Sequence, residues 1–246
     1  MIAAKNNCMA DSEKIKNRFD LEPDLWSEYH NKTRKTVIER EVYQRKALAK
    51  RAVKKYFQGR PAEILEVGCG TGDNLAEIVQ EDEKWYGTGV DISPAMVQRA
   101  TEKQSNERRL SFREMNIEKT VLDKKYDVVL LLGVVGYFGD NQKAFDTIFK
   151  ALKPGGLFIF TYGNKKSIFR KVRNMRSKKK SYFRSYYPSE MKKLLPPDGK
   201  IIEEHGLIYS TGFCKGVSVA ISTILEKVIT QDRFDQALTK LVIVRR

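Results

Sequence analysis

The sequence predicts an α/β fold in which a doubly wound, mostly parallel β-sheet carries helices on both faces. Short apolar runs typical of buried strands alternate with segments whose apolar residues recur at helical spacing. The most apolar run, Val128 to Val135, fits a central strand buried on both faces. Such alternation favours parallel strands joined by right-handed crossovers, and ligands of these sheets bind at the carboxyl ends of the strands.

The chain is predicted to be helical from about Asp11 to Phe57. Trp26 and Tyr29 come early in this part, and an apolar stripe interrupted by many lysines and arginines follows them. Gly59-Arg60-Pro61 then joins the helical part to the core. The stripe consists of Ile38, Val42, Ala49, Ala52, Val53 and Phe57.

The stretch from Ile64 to Leu75 predicts a strand, a tight turn and a helix. The apolar run at its start ends at three glycines in alternate positions, Gly68, Gly70 and Gly72. Glycine suits a turn that needs positive φ, and it lets a ligand approach the backbone. Free amides at the start of the following helix can then receive a carboxylate or phosphate group.

Two acids indicate which ligand this turn binds. Glu66 ends the first strand, where a carboxylate would repel a pyrophosphate but attract an ammonium or sulfonium group. Asp91 ends the second predicted strand, and an acid at that place can accept hydrogen bonds from both hydroxyls of a ribose. Ser93 and Pro94 then predict the start of a helix. The pattern therefore favours a nucleoside ligand with a positively charged end.

The remaining elements follow in the same alternation. Further strands are predicted at Leu110 to Met115 and Leu157 to Tyr162, and further helices at Asn141 to Leu152, Pro188 to Leu195 and Val217 to Val228.

Four blocks in order make residues 61–163 resemble the cofactor half of a class I S-adenosylmethionine (SAM)-dependent methyltransferase of the small-molecule type. The resemblance implies a Rossmann-like, seven-stranded, mostly parallel sheet with an antiparallel last strand, for which Lys200 to Glu204 and Leu241 to Arg245 are the candidates. It also implies SAM as the cofactor. The blocks are Glu66 to Gly72, Gly89 to Met96, Tyr126 to Gly133 and Leu152 to Phe160.

The same resemblance implies roles for particular residues. The glycine turn would hold the methionine part of SAM, Asp91 the ribose, and Ile92 with Met96 the faces of the adenine. Asn116 stands where the family commonly has an aspartate, and its amide oxygen can still accept a hydrogen bond from the adenine amino group. The implied cofactor-binding residues are Glu66, Gly68, Gly70, Asp91, Ile92, Met96, Asn116, Ile117 and Gly133.

The resemblance divides the chain into four parts. Residues 1–60 form an N-terminal helical cap, 61–163 the SAM-binding core, 164–188 a basic insertion, and 189–246 the rest of the fold and its substrate side. N-terminal helices of the family often close over the cofactor. Trp26 or Tyr29 would then either contact substrate or, as the simpler reading has it, dock the helix on the sheet.

The basic insertion dominates the charge of the chain. Ten of the twenty residues from 165 to 184 are Lys or Arg and none is acidic, in a chain of net charge +15. Ile168 and Phe169 would lie on one face of an amphipathic helix, with Arg170 and Lys171 elsewhere around it. Such a segment can bind an anionic membrane surface, an anionic substrate or RNA, or can be a solvated lid.

Methyl transfer from a sulfonium needs mainly alignment of the acceptor and, for some acceptors, removal of a proton. Tyr137 and His205 are the candidate catalytic residues. Tyr137 follows the central strand, although it can equally pack on the cofactor, and His205 is expected in a loop after a C-terminal strand. His30 carries less weight than His205. Asp140 reads as a helix cap, and we expect no metal.

The sequence leaves three functions open. The first is a methyltransferase that modifies an oxygen or amine of a small molecule, such as an anionic, lipid-linked or glycan-related one. The second is an RNA methyltransferase that uses the basic insertion, and the third is a non-catalytic SAM-binding protein. The first is favoured, since no RNA-binding module is recognisable.

Composition sets the cellular expectations. The 246 residues suffice for one substantial core. Cys8, Cys69 and Cys214 are far apart and odd in number, which indicates reduced thiols and a cytoplasmic protein. No apolar run is long enough for a membrane span and no secretory signal is evident, so contact with a membrane would be peripheral.

Overall fold

The computed structural model describes residues 13–30, 36–171, 183–209 and 235–246. Their strands form a single sheet in the order β3-β2-β1-β4-β5-β8-β7, and the two-residue strand β6 pairs with β5 outside this path. The strands are β1 (Ala62–Val67), β2 (Trp85–Asp91), β3 (Leu110–Glu114), β4 (Tyr126–Leu131), β5 (Leu152–Asn164), β6 (Ser185–Tyr186), β7 (Lys200–Leu207) and β8 (Thr239–Arg245).

Helices flank this sheet, and three of them precede it in the chain. A turn of 3₁₀ helix, Val135–Tyr137, follows β4. The helices are α1 (13–20), α2 (Pro23–Tyr29), α3 (Val37–Phe57), α4 (Asp73–Val79), α5 (Pro94–Lys103), α6 (Asn141–Ala151), α7 (168–171) and α8 (Pro188–Lys193).

The topology is the predicted doubly wound one. Strands β1 to β5 pair in parallel, while β8 runs antiparallel to both β5 and β7, so a mostly parallel sheet with an antiparallel last strand is confirmed. The order reverses between β1 and β4. Such a reversal opens a crevice at the carboxyl ends of the two strands, which is where this class of sheet binds ligands.

Alternate residues of the central strands supply two hydrophobic cores, one on each face of the sheet. Leu65 and Val129 belong to one core, and their neighbours Ile64 and Val128 belong to the other. Phe145 of α6 packs edge-on against two rings of β5 in the first core. Burial on both faces explains why these strands read as continuous apolar runs.

The helix α3 differs from its predicted stripe. Ile38 is 46% exposed, whereas Arg45 and Lys46 are buried among the apolar residues. Lys46 is neutralised by an ion pair with Glu77 of α4. Four of the six predicted stripe residues, Val42, Ala49, Ala52 and Val53, are buried as predicted. Arg45 and Lys46 widen this buried face, which periodicity alone does not reveal.

The central strand is also shorter than predicted. It ends at Leu131, and the chain turns at Gly133, whose φ is 80°. The backbone N–H of Gly133 donates to Thr161 Oγ1 at 2.7 Å and ties this turn to β5. Val135, predicted to lie in the strand, therefore belongs to the 3₁₀ turn.

Only part of the basic insertion belongs to the described residues. In that part Arg170 is buried and donates to the carbonyl of Leu238, while Ile168 is 57% exposed, so the predicted apolar and basic faces are wrong here. Beyond it, Phe183 packs edge-on against Tyr137. Residues 172–182 and the predicted helix at 217–228 lie outside the described residues.

No helix of the described ranges combines the length and apolarity needed to cross a bilayer.

The first turn of α3 offers a test of local stability. Thr36 Oγ1 accepts from the N–H of Glu39, whose side chain in turn accepts from the N–H of Thr36. Thr36→Ala removes this capping box, so we expect a loss of about 1 kcal/mol and a melting temperature lower by about 2–4 °C. Thr147→Ala, within α6, is the control and should leave thermal unfolding almost unchanged. Equal melting temperatures of Thr36→Ala and Thr147→Ala would contradict a stabilising role of the capping box.

Candidate active site

A cavity of about 960 Å³, counted with its opening to solvent, lies at the carboxyl ends of β1, β2 and β4. The glycine turn, the ends of β2 and β4, the loop after β3 and the N-terminal helices all contribute to its wall. The cavity therefore occupies the crevice that the strand order predicts.

The glycine turn has the conformation that its residues require. Gly68, Gly70 and Gly72 all have positive φ, at 69°, 51° and 77°. A Cβ on Gly68 would lie 2.4 Å from Val134, but one on Gly70 would meet nothing within 4 Å. Gly68 is thus needed for close packing, while the open space beside Gly70 is available to a ligand.

Asp91 locks this turn to the end of β2. Its Oδ2 accepts from the N–H of Gly70 at 2.9 Å, and its Oδ1 accepts from the N–H of Ser93 at 3.0 Å. The side chain is only 8% exposed, and burial raises the pKa of its carboxyl group. Because each carboxylate oxygen can accept more than one hydrogen bond, both oxygens still have capacity for ligand hydroxyls.

An apolar wall lies beside Asp91. Ile92, Met96 and Ile117 line the cavity together with Asn116. The Oδ1 of Asn116 accepts from the N–H of Glu118 at 3.0 Å, which fixes the orientation of the amide. A flat ring could be held between these apolar side chains while its edge faces the amide.

Glu66 is buried behind the cavity wall. Its Oε1 accepts from Asn74 Nδ2 at 2.9 Å, while its Oε2 has no partner among the described residues. Burial raises the pKa of Glu66 to about 8. Asn74 lines the cavity and Glu66 does not, so the structure places the glutamate one side chain further from the ligand than the sequence suggested.

The N-terminal helices cover the cavity and are tied to α5. Ser93, the N-cap of α5, donates its hydroxyl to Asp20 Oδ1 at 2.5 Å. Lys103 donates to Ser27 Oγ at 2.9 Å. These contacts hold α1 and α2 against α5, the helix that follows Asp91. The same helix therefore fixes the N-terminal helices and contributes Met96 to the cavity wall.

Arg45 reaches the cavity from α3. Its guanidinium occupies the space that a side chain at Gly133 would need, since a Cβ there would lie 2.0 Å from Arg45 Nη1. Its Nε is buried and has no partner among the described residues. Burial lowers the pKa of Arg45, and the carboxylates of Glu41 and Glu66 oppose this. A buried guanidinium of this kind favours an anionic ligand group.

His30 is a residue that sequence reasoning undervalued. It lines the cavity, and its Nδ1 is buried without a partner among the described residues. Burial, helped by the positive charges of Arg45, Lys46 and Lys103, lowers the pKa of His30 to about 4 against the pull of Asp73. The available signal was its spacing of four residues from Trp26, which also lines the cavity.

The two predicted catalytic residues lie in different places. Tyr137 lines the cavity between the rings of Phe19 and Phe183, with centroids 5.3 and 5.1 Å away, and burial raises its pKa. His205 lies inside β7 rather than in a loop, and its Nε2 is 3.0 Å from Glu203 Oε2. It is not part of the cavity wall, because the edge strand that carries it is remote from the switch point.

Comparisons with known proteins identify the family. A family model described as a methyltransferase domain matches residues 41–203, which is more than half of the chain. Malonyl-[acyl-carrier protein] O-methyltransferase 2 of Ilyobacter polytropus is 25% identical over 240 residues, 93% of this chain and 88% of that protein. Malonyl-[acyl-carrier protein] O-methyltransferase 1 of the same organism is 36% identical over 103 residues, but the match spans only 42% of this chain and 38% of that relative.

Solved structures agree. The magnesium protoporphyrin IX methyltransferase of Synechocystis PCC 6803, crystallised with bound S-adenosylhomocysteine (SAH), has a TM-score of 0.71. It is 14% identical, and the superposition covers 95% of this chain and 99% of that chain, which shows a common fold. The chain belongs to the class I SAM-dependent methyltransferases.

The cofactor of this class, SAM, fits the polar groups of the cavity. Four of the side chains that line it carry a buried atom without a partner in the described residues, and Glu66 Oε2 lies directly behind one of them. SAM has an ammonium group, a carboxylate, a sulfonium and a ribose, so it can supply both donors and acceptors. The four side chains are those of Trp26, His30, Arg45 and Asn74.

The raised pKa of Glu66 predicts how the stability of this methyltransferase depends on pH in the absence of cofactor. The folded state binds the proton up to a pH of about 8, whereas the unfolded chain releases it near the ordinary value of 4.5. Stability should therefore fall as pH rises from 4.5 to 8, by on the order of 5 kcal/mol. Glu66→Gln removes this proton exchange, so urea unfolding of this variant should lack the decline.

The matched control is Glu63→Gln, on the same strand but paired with Lys124 at the surface. It should follow the pH profile of the wild type. A Glu66→Gln profile parallel to that of the wild type would show that Glu66 ionises normally in the fold.

Proposed function

We propose that this chain transfers the methyl group of SAM to a carboxylate oxygen of a small or carrier-bound molecule and so forms a methyl ester. The observation that carries the proposal is the shifted pKa of each of two candidate bases in the cavity wall. The pKa of His30 is lowered to about 4, and that of Tyr137 is raised. Neither residue is a base matched to neutral pH for a hydroxyl or ammonium acceptor, whereas a carboxylate acceptor is already ionised there.

The comparisons support an oxygen acceptor of this kind. Several similar curated proteins are malonyl-[acyl-carrier protein] O-methyltransferases, and one of them aligns over 93% of this chain. The malonyl group carries a free carboxylate when its other end is bound to a carrier. We transfer only this acceptor chemistry to the chain, as part of the proposal.

Each part of the cavity has a task in this proposal. SAM supplies a methyl group on a sulfonium. The acceptor oxygen would attack the methyl carbon in line, and the sulfur would leave as part of SAH. Asp91 would hold the ribose, and Arg45 beside Gly133 the carboxylate of the methionine part. The adenine would lie between Ile92, Met96 and Ile117, with its edge towards Asn116. The N-terminal helices would exclude water and align the acceptor.

Two other functions compete with this proposal. The net charge of +15 and the basic insertion favour an anionic partner, which includes RNA or an anionic membrane surface. A SAM-binding protein without catalysis is the other alternative, because the fold alone does not fix an activity.

A labelling experiment tests the proposal. The chain is incubated with SAM that is radiolabelled in its methyl group, together with a malonyl-carrier thioester or malonyl-pantetheine. We expect SAH and a product that releases volatile labelled methanol in mild alkali, since esters hydrolyse and ethers or N-methyl groups do not. Asp91→Ala should abolish both, because it removes the ribose acceptor and the lock on the glycine turn. Asp123→Ala, at an exposed site, is the matched control.

The alternatives give different results. Label that is stable to alkali would place the methyl group on another acceptor atom. Label recovered in added RNA would favour an RNA methyltransferase. Calorimetry could show that SAM binds while no SAH forms with either the malonyl thioester or a metabolite extract. The chain would then be a SAM-binding protein without catalysis.

A further inference from the structure

Two side chains of the α2 region line the cavity, and each has a buried ring nitrogen without a partner in the described part of the chain. Trp26 and His30 lie four residues apart, and His30 still has helical backbone angles as the C-cap of α2. This spacing places two side chains on one helix face, about 5–6 Å apart. Both line the cavity, and Trp26 Nε1 and His30 Nδ1 are both buried without a hydrogen-bond partner in the described part of the chain.

The chemistry of these two atoms favours an anionic oxygen. The indole nitrogen can only donate, and a neutral imidazole can donate from Nδ1 in one of its tautomers. Arg45, Lys46 and Lys103 oppose the protonation of His30, and Asp73 favours it. Lys46 and Lys103 are themselves paired with Glu77 and Asp73, so Arg45 is the positive charge here that favours an anion. Buried donors that lack an acceptor are costly, so a ligand that supplies two acceptor oxygens would be favoured.

The surroundings of Trp26 place this pair towards the methyl acceptor. Its ring lies 5.7 Å from that of Phe19, which in turn lies 5.3 Å from Tyr137 in the turn after β4. Arg45, by contrast, lies against Gly133 and is available to the carboxylate of the cofactor. Arg45 and His30 are close enough for their charges to interact, so the cavity offers neighbouring donors to two anionic groups.

We propose that Trp26 Nε1 and His30 Nδ1 bind the carboxylate of the methyl acceptor and select carboxylates over uncharged acceptors. This inference rests on the proposed function, which it extends by naming the residues that determine specificity. The pair orients the acceptor oxygen through two donated hydrogen bonds, and no proton leaves either residue.

Calorimetry on the full chain tests the pair without requiring turnover. Malonyl-pantetheine is titrated into the protein saturated with SAH. Trp26→Phe and His30→Phe each keep a ring but lose the N–H group, so we expect each to weaken binding about tenfold. His30→Asn, whose amide can donate from a similar position, should stay within about threefold of the wild type.

Two controls separate charge recognition from loss of shape. Tyr29→Phe removes a hydroxyl from the same helix outside the cavity wall and should bind like the wild type. The methyl ester of malonyl-pantetheine has no charge and should bind all variants and the wild type equally.

Titrations with SAM decide which carboxylate the pair holds. Unchanged SAM affinity with weakened malonyl-pantetheine binding supports the inference. Loss of affinity for SAM, but not for 5′-methylthioadenosine, would show that the pair holds the amino-acid part of the cofactor instead and would overturn it. The inference would also be overturned if the wild type did not bind malonyl-pantetheine. The same holds if Trp26→Phe and His30→Phe bound it as tightly as the wild type. Binding without methyl transfer would leave the inference standing and refute the proposed function.

Discussion

The hydrogen bond from the N–H of Gly70 to Asp91 Oδ2 is the contact on which the site depends. It joins the turn after β1 to the end of β2 at 2.9 Å, and the turn adopts positive φ at Gly68, Gly70 and Gly72. One carboxylate thereby fixes the turn and also remains available to a ligand. The start of α4, the wall formed by Ile92 and Met96, and the support for the N-terminal helices all follow from this junction.

The N-terminal helices complete the site through a second set of polar contacts. Ser93 accepts from the N–H of Met96 as the cap of α5 and donates to Asp20 of α1. Because one hydroxyl serves both the helix and the cover, displacement of α1 would expose a helix end next to Asp91. The N-terminal helices and the end of β2 are therefore connected through one residue, Ser93.

Sequence reasoning predicted those parts of the site that arise from local backbone requirements. The glycine turn, the cap at Ser93 and the cap at Asp140 each depend on residues within a few positions of one another. Asp91 was found from its place at the end of a predicted strand, although its bond to Gly70 spans 21 residues. The same locality explains why most helices and strands were placed within a few residues of their observed ends. These features need no knowledge of how distant parts of the chain pack.

Arg45 and His30 could not be found in that way. Both belong to helices that precede the sheet, and whether their side chains point into the cavity depends on how α2 and α3 dock on it. In sequence, Arg45 was one of many positive charges on α3, and His30 was a lone histidine after a short helix. His205 was predicted in a loop but lies inside β7, and its place there and its contact with Glu203 depend on strand pairing.

Burial moves the titratable groups around the cavity towards their neutral forms and so shapes what it can bind. Glu66, with a pKa of about 8, and His30, with a pKa of about 4, are both uncharged at neutral pH, although one is an acid and the other a base. Arg45 remains charged because a guanidinium does not lose its proton at this pH. Without ligand the wall thus holds a positive charge and several unpaired dipoles. A ligand that carries both signs of charge can satisfy these groups together, whereas a neutral molecule of the same shape would leave the buried Nε of Arg45 without an anionic acceptor.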